Sequence, residues 1–318
     1  MRGARPPSEE QDPIPQEDAA LLAAGRILQD CGYAFTTITP VSHARVLARR
    51  ARAEARSLRD VFGWNLRFRP QVVGIDLFEL LRGAGWLQQE ENALWRSNVR
   101  FSSLGTLLVV HSAFPTTSEH AVFFGPDTYR FCALLEETVL DAETLVDVGC
   151  GSGAGGLVLA GRAQRVILSD PNPLALRFSR VNAELAGVHN VEMRMGSFLE
   201  ALTTSPDVVV ANPPYLLDRA RRQYRHGGHP LGTGIALQIA RDALDLLRPG
   251  GLLVLYTGSP VVDGVDPFRR MLETLFEDTC STSLIRELDP DVFGEELESS
   301  AYADVERIAL LSVVARRR

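Results

Sequence analysis

The feature that most limits what this chain can fold into is a regular exchange of apolar runs for amphipathic ones between about residues 120 and 260. Strand-like runs stand at Thr144–Val148, Arg165–Ser169, Val191–Arg194, Asp207–Ala211 and Gly251–Tyr256. Helical periodicity fills the gaps at Gly153–Gly161, Pro173–Ala186, Ile235–Leu247 and Pro267–Phe276. Strands that are apolar throughout must be covered on both faces, and helices that alternate with them supply the cover. The expected class is therefore α/β, built on a parallel sheet. Leu284–Leu288 and Arg307–Ala315 read as closing strands, the last able to insert antiparallel.

The residues before this unit have a different character. Residues 1–16, rich in Pro, Glu, Gln and Asp, are expected to form a disordered tail. Helices are expected from about Asp18 to Gly32 and from about Ser42 to Val61, with a further apolar helical stretch at Asp76–Leu81. Asn98–Phe101 and Thr106–Val110 follow as two strands around Gly105. Helices followed by a hairpin predict a smaller α+β domain at 17–118, winged-helix-like in pattern, ahead of a main domain at 119–318. Val41 to Arg100 holds eleven Arg against six Asp or Glu, the most basic stretch of a chain whose net charge is −7. A solvated helix face is the commoner meaning of such a surplus, and a face for RNA or an acidic partner is the alternative. Trp64, Trp86 and Trp95 read as packing residues rather than base platforms.

Composition excludes several classes. No run reaches the roughly 20 apolar residues needed to span a bilayer, and residues 1–18 lack the apolar core of a secretory signal. Cys31, Cys132, Cys150 and Cys280 are widely spaced, which argues against a disulfide framework or a zinc site and for a reducing cytoplasm. The chain has no lysine, which fits base composition better than a specific use of arginine. His226 and His229 lack a third ligand, so no metal is expected.

Two motifs carry chemistry. In Leu145-Val146-Asp147-Val148-Gly149-Cys150-Gly151-Ser152-Gly153 a strand enters a glycine-rich turn and then a helix. Such a turn lets the backbone bend sharply and approach a ligand. The next strand ends at Asp170, about twenty residues on, where a carboxylate can accept from both hydroxyls of a ribose. Together these predict a nucleoside crevice. Gly151, Gly153 and Gly156 also fit the dinucleotide fingerprint, which keeps NAD open; a P-loop is excluded because no Gly-Lys-Ser/Thr follows. The second motif is Asn212-Pro213-Pro214-Tyr215, directly after the fourth strand. The prolines stop the strand and stiffen the corner. The Asn212 side-chain oxygen and the Pro213 carbonyl can both accept from one planar NH2, with Tyr215 against its flat face. Asp147 and this paired-acceptor corner favour S-adenosylmethionine over NAD.

Asp147-x-Gly149-x-Gly151-x-Gly153, with Asp170 and Asn212-Pro213-Pro214-Tyr215, resembles the class I S-adenosylmethionine-dependent methyltransferases of Rossmann-like fold. Within them it is similar to the amino-methyltransferases that carry this tetrapeptide, both the release-factor glutamine N5 and the N6-adenine types. The likeness covers about residues 120–260. It implies cofactor contacts from Asp147, Gly149, Gly151, Gly153, Asp170, Ser197, Thr128 and Asn212. It implies catalysis at Asn212, Pro213, Pro214 and Tyr215, without a metal. Gly125-Pro126-Asp127-Thr128 is similar to the segment before the cofactor domain in the glutamine enzymes, but Gly-Pro replaces Pro-Arg and Tyr129 stands where Glu is expected. Ser197 stands where many relatives have an acidic residue for adenine. Asp127 or Thr128 is expected to cap the following helix.

The loop after the tetrapeptide is basic, and Arg219, Arg222 and Arg225 are expected to hold phosphates or acidic side chains of the substrate. Asp289–Glu296 reads as an exposed turn and Arg316–Arg318 as a frayed end. The expected activity is methyl transfer to a protein glutamine of translation-factor type, the alternative an exocyclic amine of adenine in RNA or DNA. An NAD-dependent oxidoreductase and a catalytically silent nucleic-acid adaptor are the readings from other classes. Asn212 argues against the adaptor.

Overall fold

The computed structural model describes residues 15–50, 53–196, 205–218, 220–228 and 231–318. A seven-stranded sheet organises it, in the order β10-β11-β9-β8-β5-β6-β7. These strands are β5 (Ala142–Val148), β6 (Ala163–Asp170), β7 (Val191–Met195), β8 (Val208–Ala211), β9 (Leu252–Val261), β10 (Cys280–Asp289) and β11 (Arg307–Arg317). Neighbours from β7 to β9 pair in parallel, and β11 inserts antiparallel between β9 and β10. All four residues of β8 are buried, as a strand covered on both faces requires. The covering helices are α5 (Pro126–Thr138), α6 (Ala154–Val158), α7 (Pro173–Ala186), α8 (Gly234–Leu246) and α9 (Pro267–Thr279). Pro173 at the first position of α7, with Asn172 accepting from the Leu174 amide, starts that helix where periodicity placed it.

The sheet runs out from β5 in opposite directions, to β6 and β7 on one side and to β8 and β9 on the other. Such a reversal opens a crevice at the carboxyl ends of the strands flanking it. The ends of β5 and β8 carry Asp147 and Asn212.

The N-terminal elements are α1 (Gln16–Asp30), α2 (Pro40–Arg49), α3 (Leu58–Phe62), α4 (Ile75–Gly83), a hairpin of β1 (Leu87–Gln89) with β2 (Trp95–Ser97), and a second of β3 (Val99–Leu104) with β4 (Leu107–Ser112). Their core is continuous with one face of α7, where Ala175, Phe178, Val181 and Leu185 join Leu21, Phe62, Phe101 and Val110. Asn182 of α7 accepts from the Val110 amide at 2.7 Å and donates to the carbonyls of Val110 and Ser152. One buried amide thus ties the β4 hairpin to the glycine turn. The tryptophans pack against this core.

Several expectations change. The helix expected over 42–61 is two, because Ser57 caps α3 by accepting from the Asp60 amide. Helix α1 begins at Gln16, inside the expected tail; residues 1–14 lie outside the described residues. Gly125, not Asp127 or Thr128, is the N-cap of α5, and the Thr128 hydroxyl accepts from the Gly125 amide. The last three arginines are not frayed: Arg317 belongs to β11, Arg316 donates to the Gly250 carbonyl, and the Arg318 amide donates to the Thr279 carbonyl. Among the described residues no helix is long and apolar enough to cross a membrane, and no three His, Cys, Asp or Glu side chains cluster as a metal ion would require.

Candidate active site

A cavity of about 210 Å³ occupies the crevice, with Asp147, Gly149, Gly151 and Asp170 at one end and Asn212, Pro213 and Pro214 at the other. Thr128 also lines it.

The first end is a backbone arc held by carboxylates. Gly149 and Gly151 have φ of +67° and +56°, conformations that L side chains rarely adopt. The amides of Gly149 and Cys150 both donate to the Ser169 carbonyl, and the Gly151 amide donates to Asp170 Oδ2 at 2.9 Å. Asp170 Oδ1 accepts from the Asn172 amide at 2.8 Å. Among the described residues each oxygen accepts one amide, so each retains a lone pair for a diol. Gly153 turns into α6 at φ +77°, where a Cβ would stand 2.9 Å from Ser179 Oγ. Gly156 lets α6 close on β6, since a Cβ there would meet Leu168 at 2.3 Å.

Asp147 is fully buried and accepts from the Gly156 amide at 2.8 Å. Burial raises its carboxyl to about 7, the Gly156 amide opposes this, and the Asp170 charge adds to it. Burial also raises Asp170, against the two amides it accepts from. Two carboxylates facing one cavity favour a ligand with a cationic part and a diol.

At the second end, Asn212 is half-buried at the cavity wall. Neither its amide nor the Pro213 carbonyl forms a hydrogen bond among the described residues. A pair of rings lines this end: Phe123 and Tyr224 are stacked at 5.8 Å with 8° between planes. The Tyr224 hydroxyl donates to the Thr116 carbonyl at 2.5 Å.

Tyr215 corrects the sequence reading. Its ring is buried and does not line the cavity. Its hydroxyl donates to Asp127 Oδ2 at 3.0 Å, and Tyr256 donates to Asp127 Oδ1 at 3.0 Å. Arg130 lies 3.5 Å from the same carboxylate and 3.6 Å from Asp289. Burial, then the Asp127 charge, holds the Tyr215 phenol well above its ordinary range, so it is a donor at neutral pH. Phe293 meets the Tyr215 ring edge-on at 5.8 Å, and Gly258 makes room for it: a Cβ there would be 2.3 Å from the ring. Tyr215 anchors the corner from behind instead of stacking on an acceptor.

Arg222 and Arg225 are also committed elsewhere. Arg222 is bonded to Asp218 and to the Thr116 carbonyl, and the Asp218 bond raises its guanidinium further. Arg225 pairs with Glu296 and lies over the Phe293 ring. They brace the loop rather than face a substrate. Asp289–Glu296 is therefore part of the support behind the tetrapeptide, not an idle turn. Ser197 and Arg219 lie outside the described residues.

Tyr256, Phe293, Gly258 and Gly227 escaped sequence reasoning, and Asp127 was expected as a helix cap rather than as the acceptor of two phenols. At Gly227 a Cβ would stand 1.9 Å from the Gly232 carbonyl oxygen and 2.6 Å from that of Pro214, so only glycine lets the loop close over the corner. The signal that could have found it is the Gly227-Gly228 pair in the loop after the tetrapeptide.

The methyltransferase small domain model matches residues 120–282, just over half of the chain. The chain belongs to the methyltransferase small domain family. Its members' donor, S-adenosylmethionine, fits the site: the arc of positive-φ glycines admits close backbone approach, Asp170 Oδ1 and Oδ2 each accept one backbone amide and would have a lone pair left for a ribose, and Asp147 lines the same cavity. The chain thus has the Rossmann-like fold and the donor crevice of a family that uses S-adenosylmethionine, and the nicotinamide reading is set aside.

Similarity to the release factor glutamine methyltransferase of Deinococcus radiodurans is 33% identity over 173 residues, 52% of this chain and 59% of that one. The ribosomal RNA small subunit methyltransferase C of Hahella chejuensis is 32% identical over 145 residues, 44% of this chain and 39% of that one. The chain thus spans little more than half, or less, of these relatives. In fold it is similar to Methanocaldococcus jannaschii Trm5 in complex with adenosine, with TM-score 0.50 and 14% identity over 80% of this chain and 62% of that one.

Proposed function

We propose that this methyltransferase acts on a planar amide or amine nitrogen, and that the acceptor is a glutamine side chain of a protein. The observation that carries this is that Asn212 and Pro213, whose amide and carbonyl make no hydrogen bond among the described residues, line the same cavity as Asp147 and Asp170. A carboxamide nitrogen is a poor nucleophile because its lone pair is delocalised. Two acceptors that bind both of its hydrogens favour the pyramidal, reactive form, which is help directed at the transition state. S-adenosylmethionine, when bound, supplies an electrophilic methyl group without a metal.

In this reading Gly149, Gly151, Gly153, Asp147, Asp170 and Thr128 hold the donor, and Asn212 and Pro213 orient the acceptor. Pro214 stiffens the corner, and Tyr215, through Asp127, keeps it from turning. Orientation of this kind is worth up to roughly 7–11 kcal/mol of barrier. Release factor glutamine methyltransferases among the similar proteins support the glutamine acceptor. The pairing of Arg222 and Arg225 inside the loop removes two of the cations that would have favoured a nucleic acid. An adenine amine is the second reading, favoured by the stacked Phe123–Tyr224 pair beside Asn212. We assign residues 17–118 to acceptor recognition.

The test is transfer of labelled methyl from S-adenosylmethionine into a cell lysate, followed by nuclease or protease. Label released by protease and resistant to nuclease supports the glutamine reading. Label released by nuclease replaces it with the adenine reading.

A further inference from the structure

Beside the acceptor end, on the other side of Phe123, lies a small recess lined by His43 of α2, Arg100 and His111 of the β3–β4 hairpin, Thr37, Thr116 and Phe123. Arg100 and His111 face each other across the hairpin register. The Arg100 side chain is 4% exposed yet pairs with no carboxylate among the described residues. Its Nε donates to the Gly63 carbonyl at 2.8 Å, Nη2 donates to Thr37 Oγ1 at 3.3 Å, and the guanidinium lies 5.4 Å from the Phe35 ring centroid. That uses two of five N–H groups. A buried guanidinium without an anion is costly, and burial lowers its pKa to about 10.

From Thr37 a directed chain leads away. The Thr37 hydroxyl is 2.5 Å from Ser102 Oγ, which is 2.8 Å from His111 Nε2, while His111 Nδ1 faces the Ser112 carbonyl at 3.1 Å. His111 is thus satisfied as a neutral ring. His43 is not. It is 1% exposed, its Nε2 faces the Trp64 carbonyl at 3.2 Å, and its Nδ1 has no partner among the described residues. A lone guanidinium and an unpartnered buried imidazole nitrogen line one recess that shares Phe123 with the acceptor cavity.

We propose that this recess binds the oxyanion tip of a carboxylate or phosphate group, with Arg100 supplying the charge and His43 Nδ1 the second polar contact. The space is about 10 Å³, room for one oxygen-sized atom, so a ligand enters by its tip. With Nε2 donating to the Trp64 carbonyl, Nδ1 is an acceptor, and burial with the Arg100 charge keeps the ring neutral by lowering it to about 4, so the entering oxygen carries its own proton to Nδ1 or binds together with one proton taken from solvent. Such a site next to the acceptor cavity selects ligands with an anionic group beside the methylated one. The inference does not depend on which acceptor is methylated.

The experiment titrates the whole chain with sodium acetate and, separately, inorganic phosphate, at ionic strength held by sodium HEPES, whose anion is too bulky to enter. Trp64, 5.2 Å from the His43 ring, reports through its emission, and Tm reports binding to the folded state. The expected result is a saturable change in emission with a rise in Tm, lost in Arg100→Met and weakened about tenfold in His43→Phe. Response to acetate alone identifies a carboxylate, response to phosphate alone a phosphoryl group, and both together the shared chemistry. Should Arg100→Met fail to fold, His43→Phe decides. No response in the wild type, or an equal response in His43→Phe, overturns the proposal.

Discussion

The donor end of the crevice is assembled from residues close together in the chain, and the acceptor end from residues far apart. Gly156 reaches Asp147 across 9 positions and Gly151 reaches Asp170 across 19. Tyr215 reaches Asp127 across 88, Tyr256 reaches Asp127 across 129, and Arg225 reaches Glu296 across 71. A local site forms with its own strand and turn. A corner held by distant partners forms only when the whole sheet is in place, so it can be loosened without touching the donor end. Damage to the two ends should therefore separate.

The largest effect is expected at Gly227. A methyl group there collides with backbone on two sides, so Gly227→Ala should cost about 4 kcal/mol, near the upper end for a single residue. Chemical denaturation measures it, and a cost below about 1 kcal/mol would mean that the loop does not depend on that close approach. Next is Asp127→Ala, which strands two phenolic donors and should cost about 3 kcal/mol. Asp127→Asn keeps an acceptor and should cost less. Both should leave donor affinity unchanged by calorimetry; a large loss would break the separation between the ends.

At the donor end, Asp170→Ala removes the acceptor of the Gly151 and Asn172 amides and of the expected ribose contact. Donor affinity should fall by about tenfold to a hundredfold, and unchanged affinity would remove Asp170 from that contact. The smallest effect is on pH dependence. Asp147 titrates near 7 in the folded chain, above its ordinary 3.8. Its sign is that of a raised carboxyl: stability is fully present below the unfolded value and declines as pH rises through about 7. A cationic ligand prefers the ionised form, so donor affinity should rise between about pH 6 and 8, by up to about tenfold. Asp147→Asn should flatten the rise. A rise that persists in this variant would assign it to another group.

The same contrast explains what could be read from the chain alone. The strands at Thr144–Val148 and Asp207–Ala211, and the turn at Gly149–Gly153, announce themselves because periodicity and glycine spacing are local signals. The role of Tyr215 was misjudged because nothing near it in sequence reveals Asp127, Phe293 or the space left at Gly258. Arg222 and Arg225 looked free for the same reason: Glu296 is remote in sequence, and an aspartate four residues before Arg222 is easily taken for chance. The break before α3 was hidden because the capping signal of Ser57 lay inside a plausible helical pattern.

The central claim is that Asn212 acts on the acceptor and not on the fold or the donor. Methyl transfer and donor affinity should be measured together on Asn212→Ala, the first by labelled methyl incorporation and the second by calorimetry. The account predicts transfer reduced by at least about a hundredfold, with donor affinity within about threefold of the wild type. Near-normal transfer, or transfer lost only in step with donor binding, would contradict it.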